Sequence, residues 1–191
     1  MYKYCYVKAA FVALMLVFII SCARPQGNTR QEKKDFILKM KDDTLAELYI
    51  KEPGTRAMIM GAPGYGVFSN INTQLLFFGT GNGYGVVIDN STGKKTYMKM
   101  GQAGVGLGVA IKDFRAVMIF TNKRVLREFV EKGWDFGGQA GAGVKSSEKG
   151  RAVSGAASAE GDILIYQITK AGVELRTQIV GTKYWKDDEL N

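Results

Sequence analysis

Between residues 104 and 108 glycine occupies every second position, in G-V-G-L-G, before the chain turns charged at Lys112 and Asp113. A period of two is the repeat of a β-strand, whose successive side chains point to opposite faces. The spacing predicts a strand with Gly104, Gly106 and Gly108 on one bare face and Val105, Leu107 and Val109 on the other. The same alternation recurs at Gly79, Gly81, Gly83 and Gly85, read as crossing a turn, and at Gly141 and Gly143. Phosphate-binding loops do not fit. A dinucleotide fingerprint needs G-x-G-x-x-G between strand and helix, and the Walker pattern fails because Lys95 follows Gly93-Lys94. Glycine weakens a strand by itself, so several such strands need a gain elsewhere. Close approach of a backbone or a bulky side chain to the bare face supplies one, with Phe77, Phe78, Tyr84, Phe120, Trp134 and Phe136 as candidates.

All but four of the 24 glycines lie between residues 61 and 162. Candidate strands there are 65–71, 73–80, 83–90, 95–100, 102–111 and 115–121, with D-N-S-T-G-K (89–94) as a hairpin turn. Ahead of them, Ile37, Met40, Leu45, Leu48 and Tyr49 approximate helical spacing, with a restart expected at Asp42 or Asp43 and an end at Pro53-Gly54. A second short helix is expected from an N-cap at Thr55 to Gly61. A central helix is expected over 122–133, capped by Asn122, with an apolar stripe of Val125, Leu126, Phe129 and Val130 and a stop at Gly133. Strands resume after it, in W-D-F-G-G-Q-A-G-A-G-V, D-I-L-I-Y-Q-I-T-K and G-V-E-L-R-T-Q-I-V-G. The expected fold class is α+β. Its sheet is mainly antiparallel and glycine-rich, as a sandwich or a partly closed barrel, with short N-terminal helices and one central helix.

The N-terminus has a separate logic. Lys3 and Lys8 precede an unbroken apolar run of 12 residues, Ala9–Ile20. As a helix it rises roughly 18 Å, against a hydrocarbon core of about 30 Å. That length suits the core of a signal peptide. The run ends in Ile19-Ile20-Ser21-Cys22, which resembles a bacterial lipobox, although a small residue is more usual than isoleucine at position 20. Residues 1–21 are therefore expected to be a lipoprotein signal peptide, with the Cys22 thiol as acyl acceptor and residues 22–35 as a lipidated tether. The domain proper is expected over 36–191. Cys5 would leave with the signal, so no disulfide or cysteine metal site is expected.

Catalytic chemistry finds little purchase. Histidine is absent, which removes Ser-His and Cys-His nucleophile pairs. Two S-x-x-K strings, Ser91–Lys94 and Ser146–Lys149, lack the S-D-N and K-T-G strings that accompany such a motif in penicillin-recognising enzymes. Glu160 and Asp162 flank Gly161 without a third hard ligand nearby, and read as turn carboxylates. No enzyme activity, cofactor or metal is expected.

An ordered set of segments resembles the SYLF family, also called the Ysc84 actin-binding domain family, in its bacterial lipoprotein branch. The segments are Pro53-Gly54 with Arg56-Ala57, Gly64–Phe68, Gly83–Val87, Gln102–Gly108, Phe120/Asn122 to Leu126/Phe129, Gly150–Ala152 and Gly181–Asp187. Together they span about residues 44–191. The chain departs at Ala110-Ile111-Lys112, where many relatives have a Gly-Gly-Gln-like stretch. The resemblance implies a lipid-binding domain. Actin, a target of eukaryotic relatives, is not expected outside a bacterial inner membrane.

The formal net charge of +8 suits an anionic surface, near which each cation adds about 1 kcal/mol of attraction. Basic residues gather at Lys94, Lys95 and Lys99, at Lys112 and Arg115, at Lys123, Arg124 and Arg127, and at Lys145, Lys149 and Arg151. The last group is the favoured lipid-binding set because it falls in the Gly-Arg region of the resemblance, with Lys112 as an addition. Nucleic acid is not expected, since no binding motif occurs and export removes the chain from it. The expected function is a lipid-anchored envelope protein with a non-catalytic phospholipid-binding domain. Ala23 after the cysteine points to the outer membrane, facing the periplasm. The alternative is an envelope scaffold that binds a protein or cell-wall partner through its sheet.

Overall fold

The computed structural model describes residues 24–75, 78–105, 114–135, 158–159, 162–169, 172–176 and 182–191. Among them are two N-terminal helices, α1 (Arg30–Lys51) and α2 (Thr55–Gly61), and a later one, α3 (Lys123–Lys132). Nine strands make one sheet: β1 (Gly64–Leu75), β2 (Phe78–Asp89), β3 (Lys95–Val105), β4 (Phe114–Phe120), β5 (Trp134–Asp135), β6 (Ser158–Ala159), β7 (Ile163–Thr169), β8 (Gly172–Arg176) and β9 (Thr182–Lys186). The order is β5-β9-β3-β2-β1-β4-β7-β6, with β8 also beside β7. All these pairings are antiparallel. The fold is α+β, as expected, and the sheet curls into an open half-barrel.

Period-two alternation sorts the sheet into two apolar faces. One carries Phe68, Val87, Met98, Met100, Met118 and Phe120 and is covered by Val125, Leu126 and Phe129 of α3. The other carries Val67, Val86, Tyr97, Val117, Ile119 and Tyr166 and is covered by Ile37, Met40, Leu45 and Leu48 of α1 and Ile59 of α2. Phe129 anchors the α3 side, its ring centroid 5.0 Å from Phe120, 5.4 Å from Tyr184 and 6.1 Å from Phe68. The central helix matches expectation. The Asn122 side chain accepts from the Arg124 amide at 2.8 Å, and Gly133 ends the helix at φ +73°.

Gly83 and Gly85, from one of the expected glycine rows, have the packing role expected of them, with different partners, and Gly64 and Gly66 share it. Gly64, Gly66, Gly83 and Gly85 lie on the α3 face. A Cβ at Gly66 would stand 2.9 Å from the Phe68 ring, at Gly64 2.8 Å from Leu126 and at Gly83 2.6 Å from Met100. At Gly85 it would overlap both the Phe68 ring and the Val67 carbonyl oxygen. Gly104 falls within β3, while Gly106, Gly108, Gly141 and Gly143 lie outside the described residues.

Several expected boundaries move. Segments 65–71 and 73–75 are one strand, 78–89 is another, and the register Leu75↔Phe78 puts only residues 76 and 77 between them. The turn expected within Gly79–Gly85 is therefore continuous strand. The D-N-S-T-G-K hairpin is present, with Gly93 at φ +68° and the Asp89 carboxylate accepting from the Ser91 amide at 2.8 Å. No restart interrupts α1. Asp43 instead meets Lys39 at 2.9 Å and Asp42 meets Lys41 on its outer surface. The helix also takes in residues 30–35 of the expected tether. Thr29 caps it reciprocally: its hydroxyl accepts from the Glu32 amide at 3.1 Å, and its amide donates to Glu32 Oε2 at 3.2 Å. Thr55 is the first residue of α2 rather than its cap, and its hydroxyl donates to the Glu52 carbonyl at 2.7 Å.

Strand β9 was not among the expected strands. It pairs with β3 and β5 and leads into a C-terminal clasp. There the Asn191 amide donates to the Tyr97 carbonyl at 2.7 Å, and its oxygen accepts from the Tyr97 amide at 3.1 Å. Leu190 is buried beneath the clasp. Arg30 Nε donates to the Glu189 carbonyl, and the Lys33 ammonium pairs with the Glu189 carboxylate, fastening the start of α1 to the end of the chain.

Candidate functional site

Helix α1 covers only part of its face of the sheet. Beside it runs a row of directly opposed residues, Arg115, Ser69, Tyr84, Lys99 and Trp185, on β4, β1, β2, β3 and β9. Phe36 of α1 packs against Tyr84 with centroids 5.8 Å apart. Where α1 ends its cover, a cleft of about 430 Å³ opens between Arg24, Pro25 and Lys33 on one side and Asn82, Tyr84, Lys99 and Trp185 on the other. Its size falls within the range of small-ligand sites, about 300–1,000 Å³.

The lining is aromatic and charged. The Trp185 indole lies across Gly101, where an added Cβ would sit 3.2 Å from Cη2, and it keeps 39% of its surface exposed. Lys99 Nζ pairs with Asp187 Oδ1 at 3.0 Å, and that carboxylate is buried. Asp187 Oδ1 also accepts from the Glu189 amide at 3.0 Å. The Lys33 hydrogen bond, with the charge behind it, holds the Glu189 carboxyl below the usual glutamate value. Burial pushes the Tyr84 phenol up, against the opposing pull of its Ser69 hydrogen bond and the Arg115 charge. Three cations, Arg24, Lys33 and Lys99, thus face two carboxylates, Asp187 and Glu189. An ammonium has three donors, and each lysine here spends one on its carboxylate. The arrangement can hold an anionic group against an aromatic surface.

None of the expected site residues is part of this cleft as described. Cys22, Lys112, Lys145, Lys149 and Arg151 lie outside the described residues. Lys99, grouped by sequence with Lys94 and Lys95, is separated from them by the strand and belongs to the cleft. Lys94 and Lys95 stay exposed at the hairpin, where Lys123 donates to Ser91 Oγ at 3.3 Å. Ser91 itself donates to Asp89 at 2.6 Å, so its hydroxyl is held between the Asp89 carboxylate and the Lys123 ammonium. Arg124 is turned to Glu128 at 3.3 Å. Among the described residues no group of three or more His, Cys, Asp or Glu is placed to hold a metal ion. No helix there is long and apolar enough to cross a membrane.

Sequence reasoning did not single out Arg24, Lys33, Trp185, Asp187 or Glu189. One signal was present: Lys183, Trp185 and Asp187 alternate with Tyr184 and Lys186, a strand pattern in a segment read only for its resemblance.

Fold and cleft together define a single-sheet α+β protein with helices on both faces and an aromatic-lined cleft that carries three cations and two carboxylates. No family model matches the chain. It is 35% identical over 164 residues to Beta cell expansion factor A of Aeromonas veronii, an alignment that covers 85% of this chain and 60% of that protein. The chain thus spans 60% of the length of the curated relative it matches.

Proposed function

We propose that this chain is a lipid-anchored protein of the bacterial envelope whose domain binds phospholipid and catalyses no reaction. The observation that carries the reading is the apolar run Ala9–Ile20 delivering Ser21-Cys22 just ahead of a folded domain. A cleft lined by cations and aromatic rings beside the first described residues supports it, as does the resemblance to SYLF lipoproteins. An anchor at Cys22 would hold the domain at high local concentration beside the bilayer, so that weak, charge-assisted contacts suffice.

Metabolic labelling with a palmitate analogue tests the anchor. The wild-type chain should take up label and fractionate with the outer membrane, and Cys22→Ser should do neither. Identical fractionation of the two, without label, would remove the anchor. Flotation of the unacylated domain with liposomes tests the binding, which should need anionic lipid and weaken with salt.

A second reading, an envelope scaffold, draws on Ile50, Met58 and Met60, apolar side chains exposed at the far end of α1 and on α2. A stoichiometric protein partner recovered from detergent-solubilised envelope would favour it.

A further inference from the structure

We infer that the Arg24–Lys33–Lys99–Trp185 cleft is the face this domain turns to the bilayer, and that it receives the headgroup of an anionic phospholipid. The inference rests on the anchored reading above and adds an orientation and a contact site to it.

Covalent reach supplies the orientation. Arg24 lines the cleft and stands two residues after Cys22. Two residues span at most about 7 Å, whatever path they take. The headgroup region on each side of the hydrocarbon core is about 5–7 Å thick. An acyl chain inserted at Cys22 therefore keeps Arg24 at or beside headgroup depth, with the cleft mouth next to it. Two other exposed surfaces, one basic and one apolar, are out of that reach. Lys94, Lys95 and Lys123 gather at the start of β3, where Lys95 is about 13 Å along the strand from Lys99. Ile50 stands about 25 Å along α1 from Lys33.

The cleft also has the chemistry of that depth. Indole, apolar in body and polar at its N–H, concentrates at the membrane–water boundary. Trp185 is half-exposed on a strand rather than a loop, and Gly101 lets its ring lie flat on the sheet. Lys33 and Lys99 are fixed by their carboxylates and retain donors for a phosphate. Arg24 is exposed at the rim and brings the planar donor fork that suits phosphate oxygens.

The test uses the full chain, processed and acylated, in vesicles of equal phosphatidylcholine and phosphatidylglycerol that contain a headgroup-spin-labelled lipid. Trp134→Phe leaves Trp185 as the sole indole; should that variant not fold, the difference between wild type and Trp185→Phe gives the same signal. The inference expects Trp185 emission to shift to the blue and to lose most of its intensity, and Trp134 emission to be spared. Arg24→Gln with Lys33→Gln should reduce the quenching to its level in purely neutral vesicles, and Lys94→Gln with Lys123→Gln should leave it unchanged. Unquenched Trp185 in protein that sediments with the vesicles overturns the cleft and leaves the anchor standing. So does the reverse response of the two charge variants. Failure to sediment overturns both.

Discussion

Gly85 faces the Phe68 ring and the Val67 carbonyl at a spacing no methyl group fits, and the second of these is backbone that cannot rotate away. Gly85→Ala should cost about 1–3 kcal/mol or more as an overpacked site, read as a lower urea midpoint with an unchanged slope. Gly61, at the end of α2, has nothing within 4 Å of its Cβ position and does not adopt a positive φ. Gly61→Ala should be neutral or stabilise by up to about 1 kcal/mol. Opposite signs from the same chemical change would separate glycine as packing from glycine as punctuation. Tyr184 sits at the other extreme. Burial raises its phenol far above the ordinary value, and its ring lies 4.8 Å from Phe68. Removing so large a buried ring, in Tyr184→Ala, should cost about 3–5 kcal/mol.

The start of α1 is the element where sequence and structure part most instructively. Thr29-Arg-Gln-Glu32 is a legible capping box, yet its polar surroundings have no apolar periodicity and read as tether. The periodicity is missing because the first turn of α1 packs against the C-terminal clasp through charge, Arg30 and Lys33 on Glu189, and only Phe36 onward meets the core. Thr29→Ala should therefore cost about 1 kcal/mol, where a change in a tether would cost nothing. The same joint should open in acid. Backbone donors at Asn28 and Thr29 lower the Glu32 carboxyl, and Lys33 lowers that of Glu189. A depressed folded value means the stabilisation is present above the ordinary glutamate pKa and fades as pH falls below about 4. Lower protection of the Asn28 and Thr29 amides, relative to their intrinsic exchange rates in that window, would show it, and Glu189→Gln should flatten the response. Among the described residues, β1, β2, β4 and β7 were legible from alternating glycine or β-branched residues. The β1–β2 connection was not, because Leu76 and Phe77 carry none of the usual turn residues. The cleft was harder still: its residues come from positions 24, 33, 84, 99 and 185, which only the sheet order brings together.

At the scale of the whole molecule, one sheet serves two apolar layers, so neither can loosen without exposing the other's floor. Trp134 packs on the α3 side and Trp185 lies on the α1 side. Single-tryptophan variants, Trp134→Phe and Trp185→Phe, should therefore give coincident fluorescence transitions in urea, the mark of a single cooperative unit. Separated midpoints would mean that α1 and its face melt alone. The clasp has its own consequence at this scale. Beyond the end of β9, one carboxamide at Asn191 satisfies both main-chain groups of Tyr97, as a neighbouring strand would. That stretch of rim is shut to strands from other copies. The last residue of the chain thus takes the place a longer β9 would hold, and leaves no open backbone pair at Tyr97 for an intruding strand.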